Sequence, residues 1–117
     1  MFTSTSDISI DVIARLFRGF GDPSRLAILS ALLDQPLTVT EIVTTTGLSQ
    51  SNVSNHLSCL RDCGLVISNQ TWRQVTYRIS DDRVCDLILT ARTLLRDVAT
   101  GVASCTRYDM DKERERG

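Results

Sequence analysis

A chain of 117 residues, 42% hydrophobic and 23% charged, is sized for one domain with a core of its own and is neither collagenous, low-complexity nor disordered throughout. No apolar run approaches the ~18 residues of a membrane helix, and the start at Met1 to Asp7 lacks the basic and apolar stretches of a secretory signal; a cytoplasmic protein is expected, its four cysteines being reduced thiols, metal ligands or redox centres rather than disulfides. The net charge of −1 excludes a uniformly basic nucleic-acid binder, but residues 49–80 carry Arg61, Arg73 and Arg78 against Asp62 alone, so the distribution matters more than the sum.

Asp7 is placed to cap a first helix whose Ile10, Ile13, Leu16, Phe17 and Phe20 share one broad face, with Gly19 and Gly21 marking its end. Asp22-Pro23 joins a capping carboxylate to a proline at the first helical position. Leu26, Leu29, Leu32 and Leu33 supply the apolar face of this second helix, and Pro36 closes it. Thr38 and Glu41 have the spacing of a capping box, and the short helix they open ends at Gly47. Ser49 caps the next helix, over 50–63, which Gly64 terminates. The period then changes. Leu65-Val66-Ile67 reads as a strand, and Val75, Tyr77 and Ile79 alternate with Gln74, Thr76 and Arg78 as a second, with residues 69–73 connecting the two in a hairpin. Ser80-Asp81-Asp82 begins a long helix in which Val84, Leu87, Ile88, Ala91, Leu94, Leu95, Val98 and Val102 recur at three- and four-residue spacing. Residues 1–105 are read as one domain and 106–117 as a charged, disordered tail. The two terminal helices carry more apolar surface than so small a core needs, which predicts a homodimer through residues 8–20 and 84–103.

Residues 39–63 hold two short helices joined by Gly47-Leu48-Ser49, the spacing of a helix-turn-helix. On a wheel of about 100° per residue with Ser51 at zero, Val53, Leu57 and Leu60 fall at about 180–240° and face the core. Ser51, Ser54, Asn55 and Ser58 fall opposite, within about 60° of zero. That face bears small and amide side chains and no acid, so it can enter a major groove without repelling phosphate, and with Gln50, Asn52 and His56 beside it offers donors and acceptors to base edges. The hairpin supplies a wing: Arg73, Gln74 and Arg78 can reach backbone phosphates or the minor groove. The fold class is therefore mainly α with a small β-hairpin, a winged helix-turn-helix, and the expected partner is duplex DNA.

Cys59 and Cys63, four residues apart, lie one above the other on a single helix face, at about 80–120° on the same wheel. Spacing alone leaves two readings open: small buried apolar side chains, or two thiolates of a soft-metal site that needs a further ligand from elsewhere. Cys105 sits where the terminal helix is ending, and Cys85, beside Val84 and Leu87, reads as packing. With no Cys-x-x-Cys motif and a single histidine, acid–base or redox enzyme chemistry has little to work with.

At Asp22-Pro23-Ser24-Arg25-Leu26, at Ser49-Gln50-Ser51-Asn52-Val53-Ser54-Asn55-His56-Leu57, and again at Leu60-Arg61-Asp62-Cys63-Gly64-Leu65-Val66 and Arg73-Gln74-Val75-Thr76-Tyr77-Arg78-Ile79, the chain resembles the ArsR/SmtB family of metal-responsive transcriptional repressors. The resemblance covers residues 10–103, and the run from Ser51 to Leu65, with both Cys59 and Cys63, is most similar to the family's cadmium- and lead-sensing members. It implies a homodimer that binds operator DNA in the metal-free state and leaves it on binding Cd(II) or Pb(II), with Zn(II) a further candidate. It also implies that Cys105 joins Cys59 and Cys63 as third ligand, reaching the site from the other subunit. The family's two other metal sites lack their residues here, since 39–46 holds no cysteine and the long helix no histidine. Trp72 departs from the glycine common before the wing arginine, so the turn is expected to differ there and the role of Arg73 to be less fixed than that of Arg78. The alternative on the same fold is a thiol-based repressor sensing oxidants, arsenite or mercury.

Overall fold

Polar caps set the helix boundaries. In the computed structural model, which describes residues 8–103 with side chains as far as Val98, the first cap is Ser9. Its hydroxyl accepts from the Val12 N–H at 3.2 Å and opens α1 (Ile10–Gly21); Asp7, the expected cap, lies outside the described residues. The Asp22 carboxylate accepts from the Arg25 N–H at 3.0 Å and, with Pro23, opens α2 (Pro23–Ala31). At the start of α3 (Val39–Thr46) the capping box is complete: Thr38 N–H donates to Glu41 Oε1 at 2.8 Å and Glu41 N–H to Thr38 Oγ1 at 3.2 Å. Gly47, at φ 77°, turns the chain out of α3, and the Ser49 hydroxyl, accepting from Asn52 N–H at 3.2 Å, opens α4 (Gln50–Asp62).

The strands β1 (Val66–Thr71) and β2 (Gln74–Ile79) pair antiparallel from Val66 opposite Ile79 to Thr71 opposite Gln74. Pairing thus runs further than the expected 69–73 connection allowed, and only Trp72 and Arg73 make the turn. Trp72 takes φ 62° itself, so the chain keeps a left-handed turn residue despite lacking the glycine that would favour one. Positive φ at the first central residue alone is the sign pattern of a type II′ turn, which matches the twist of paired strands. The hairpin is tied back at Leu37, whose N–H donates to the Tyr77 carbonyl at 3.0 Å while Tyr77 N–H donates to the Leu37 carbonyl at 2.8 Å. The segment Leu33 to Pro36 is the bridge to that contact, and α2 accordingly ends at Ala31, earlier than Pro36 alone implied.

Residues through Val84 form one compact unit, whose core comprises Ile28, Leu29, Leu32, Leu37, Ile42, Val53, Leu57, Leu60, Val66, Ile79 and Val84. Each fully buried aliphatic side chain contributes about 1.5–3 kcal/mol. α2 packs against α1, α3 and α4. Being covered on several sides, it buries Ile28, outside the expected face, while Leu26 and Leu33 remain half-buried. α1 buries no residue, leaving Ile10 and Phe17 exposed. The second unit, beginning at Cys85, contains most of α5 (Asp82–Ala103), with non-helical dihedrals at Val98. Among the described residues no helix is long and apolar enough to cross a membrane.

The hydrogen bond from Arg25 N–H holds the Asp22 carboxyl below its usual range, with the charges of Arg25 and His56 adding to it. Replacing Asp22 with Ala is expected to cost about 1 kcal/mol at pH 7, the ordinary value of an N-cap. Since the folded pKa is the lower one, this contribution is complete above the unfolded value near 4 and is lost as pH falls through the folded value. Urea unfolding of wild type and Asp22→Ala across pH 7 to 3 should show the gap closing at the acid end; a gap constant with pH would contradict the assignment.

Candidate nucleic-acid interface and thiol cleft

α4 is a two-sided helix. Val53, Leu57 and Leu60 are at most 2% exposed, and this burial fixes what the other side presents. Gln50, Ser51, Asn52, Ser54, Asn55 and Ser58 are all exposed, as the sequence predicts. No acid precedes Asp62, at the helix's last residue. His56 is half-buried rather than fully presented, close enough to Asp22 for its charge to stabilise the carboxylate. The turn through Gly64 leads directly into β1, so the wing follows α4 without a linker. On it Arg73, Gln74 and Arg78 are exposed, and residues 66–79 contain no Asp or Glu. The arrangement presents an amide- and hydroxyl-bearing helix beside a basic, acid-free hairpin, which suits base edges and phosphates respectively.

Cys59 occupies the flank of the same helix, and Cys63, expected inside it, is its C-cap residue. Both are exposed, which disfavours the reading of them as core side chains. They share, with Val12, Leu16, Arg18 and Arg25, the lining of a cleft of about 680 Å³ between α1 and α4. Arg25 spans this cleft's edge. Its Nε donates to the Gly19 carbonyl at 3.3 Å and Nη2 to the Arg18 carbonyl at 3.5 Å, while Nη1 approaches Cys59 Sγ at 4.0 Å. The partial burial of the Cys63 thiol pushes its pKa up, and the neighbouring Cys59 pushes it further. Two thiols one helical turn apart suit a soft cation, but among the described residues no three potential ligands cluster. Cys105, the expected third, lies outside the described residues, and Cys85 is on α5. Arg25 is 34 residues from Cys59 in the chain, and its only mark in the sequence is its place in the Asp22-Pro23-Ser24-Arg25 run.

Residues 22–68 match the model of the bacterial regulatory proteins of the arsR family. The chain is 41% identical over 104 residues to a probable mercury resistance operon repressor of Streptomyces lividans, covering 89% of this chain and 83% of that one. To the transcriptional regulator CmtR of Mycobacterium tuberculosis it is 45% identical over 80 residues, 68% of each chain. The NMR structure of CmtR, described as a cadmium metal-sensor, aligns with a TM-score of 0.57 at 47% identity, over 64% of this chain and 78% of that one. The solution structure of a homodimeric winged helix-turn-helix DNA-binding domain, Mb0332 from Mycobacterium bovis, aligns with a TM-score of 0.64 at 29% identity, over 80% and 83% of the two chains.

A raised pKa leaves Cys63 with less thiolate at a given pH, and thiolate is the reactive form. Replacing Cys59 with Ser removes one of the causes and should lower that pKa. Alkylation of Cys63 by iodoacetamide at pH 8, followed by mass spectrometry of its peptide, is expected to be faster in Cys59→Ser than in wild type. An unchanged rate would mean that the two thiols do not sense each other, and a slower one that Cys59 acts on Cys63 with the opposite sign.

Proposed function

The chain belongs to the ArsR/SmtB family of winged helix-turn-helix transcriptional regulators, and we propose that it is a homodimeric repressor whose hold on operator DNA is released by a thiophilic metal ion at Cys59 and Cys63. Like its relatives it is a DNA-binding regulator and not an enzyme. The observation that carries the metal reading is that the two exposed thiols belong to α4 and its C-cap, Cys59 directly following Ser58 of the exposed polar face and Cys63 capping the helix. Reading and sensing then share one rigid element. Asn55 and the serines of α4 address base edges, Arg73 and Arg78 address phosphates, and Gln50, Asn52, Gln74 and His56 flank them.

Cys59 and Cys63 would hold the ion, with Cys105 of the other subunit as third thiolate. A soft cation supplies bonds strong enough to tie such sulfurs together. The inducers proposed are Cd(II) or Pb(II), supported by the likeness to the cadmium sensor CmtR, with Zn(II) a weaker candidate for an all-sulfur site. Tied through such an ion to Cys105, off the helix, Cys59 and Cys63 would restrain α4, and the helix would lose the freedom to settle in a groove. The coupling is reciprocal: DNA weakens metal binding by the factor by which metal weakens DNA binding, typically about 5–150-fold. Dimerisation is supported by α1, whose apolar Ile10 and Phe17 are exposed, and separately by Leu94 and Leu95, exposed on α5. The likeness to the mercury resistance repressor favours a second reading, in which mercuric ion is the inducer. Mercury is satisfied by two thiolates and would not need Cys105.

Operator-release titrations separate these readings. Changing Cys59, Cys63 or Cys105 to Ser is expected to leave metal-free operator binding intact and to abolish release by Cd(II) and Pb(II). Under the mercury reading Cys105→Ser is still released by Hg(II). Normal release of Cys59→Ser and Cys63→Ser by every ion would remove the site.

The DNA surface is tested independently of metal. Asn55→Ala is expected to narrow the gap between a selected duplex and a scrambled one. Arg78→Ala should instead weaken both and reduce the salt slope of log K by about one. Unchanged affinities and slopes in both variants would place the interface elsewhere.

A further inference from the structure

Trp72 is the chain's single tryptophan, and it sits where neither packing nor backbone preference calls for one. It is the first residue of the two-residue turn between β1 and β2, at φ 62°. A side chain with a Cβ takes that conformation unwillingly, and glycine would take it freely. The indole is 87% exposed, so it gains almost nothing from its own chain. A large aromatic that is both strained and solvated marks a place where something other than the fold decides the residue.

Its surroundings indicate the partner. Arg73 follows it, Arg78 lies further along β2, and Gln70 and Gln74 flank the turn, while residues 66–79 hold no acid. An apolar ring on a basic, acid-free tip is complementary to a nucleic acid. Arginine meets phosphate, and the flat ring meets sugar faces and base edges, or wedges at a base step. The wing springs directly from the end of α4, so when α4 lies in a major groove its tip is the part of the chain positioned for the adjoining minor groove.

Building on the DNA-binding reading above, we propose that Trp72 is a DNA-contacting residue whose indole enters the minor groove beside the α4 site. It provides affinity through a neutral contact, in addition to the ionic contacts of Arg73 and Arg78.

The test uses the full-length metal-free protein and a duplex selected by the wild type from a random 30-base-pair pool (about three helical turns, room for a dimer's two half-sites). Because the chain has one tryptophan, its emission reports this position alone. Addition of the selected duplex is expected to quench and shift it. Trp72→Gly should bind that duplex about tenfold more weakly, within the range for loss of one aromatic contact. Its salt slope should be unchanged, because no cation is lost. Trp72→Phe should stay within about threefold of wild type. Trp72→Gly should also unfold at equal or higher urea concentration, since glycine relieves the turn, so weaker binding cannot be put down to a damaged wing. Unchanged emission together with wild-type affinity in Trp72→Gly overturns the proposal and leaves DNA binding by α4 standing. A Trp72→Gly chain that is less stable than wild type also overturns it, by making the indole structural. A wild-type protein that selects no duplex overturns the DNA-binding reading, and this proposal with it.

Discussion

What α4 presents to a partner is referred to one buried seam, the contact of Val53, Leu57 and Leu60 with the core. These three residues make one face of α4 insoluble on its own, and burying them leaves only one orientation for the helix. The polar face opposite is then held in position by that burial. A helix of 13 residues is marginal in isolation, so the exposed polar face exists only because the seam does. The caps at Ser49 and Thr38 fix where the helices begin, but the seam fixes how α4 is rotated.

The same rotation determines where Cys59 and Cys63 lie. At four-residue spacing they share a face, and the seam turns that face neither fully inward nor onto the polar side. It borders the cleft beneath α1 instead. Arg25 then connects three elements at once: its backbone N–H is held by Asp22, its guanidinium by carbonyls at the end of α1, and its tip lies at Cys59. Arg25 thus links Cys59 on α4 with the end of α1. This gives the proposed coupling a physical route through contacts rather than through proximity alone.

Much of this was legible in the sequence because the signals are local. Capping residues, glycines at Gly47 and Gly64 and the three- and four-residue apolar spacing each act within a turn or two, and the α4 wheel separated seam, polar face and thiols correctly. The rest depends on residues far apart in the chain. Cys59 and Arg25 are 34 residues apart, and no periodicity links them. The Leu37–Tyr77 bridge likewise joins segments that share no pattern. Ile28 is buried because α2 is covered from several sides, which an amphipathic stripe read on one helix cannot reveal. At Trp72 the local rule itself failed: the residue argues against a left-handed turn, yet strand pairing from Val66–Ile79 to Thr71–Gln74 leaves only two residues to close the hairpin and imposes one.

The charge distribution completes the argument. A chain of net charge −1 has no general attraction for a polyanion, and one with a uniformly basic surface would bind any duplex it met. Here the acids are kept off the polar face of α4 and off the wing. Glu41 is engaged in its capping box, Asp22 in its cap, and Asp81 is paired with Arg83 at 2.8 Å, which pulls its carboxyl down to about 2. The wing is thus a basic surface with no acid of its own to oppose phosphate. Under the proposed function, so few wing cations gain little from phosphate alone, and a larger share of binding would come from neutral contacts: the amides and hydroxyls of α4, and the aromatic proposed at the wing tip. Such contacts depend on fit, and fit depends on the rotation and freedom of α4. A binding mode built this way is open to control by a small constraint placed on that helix, which is where its two thiols are found.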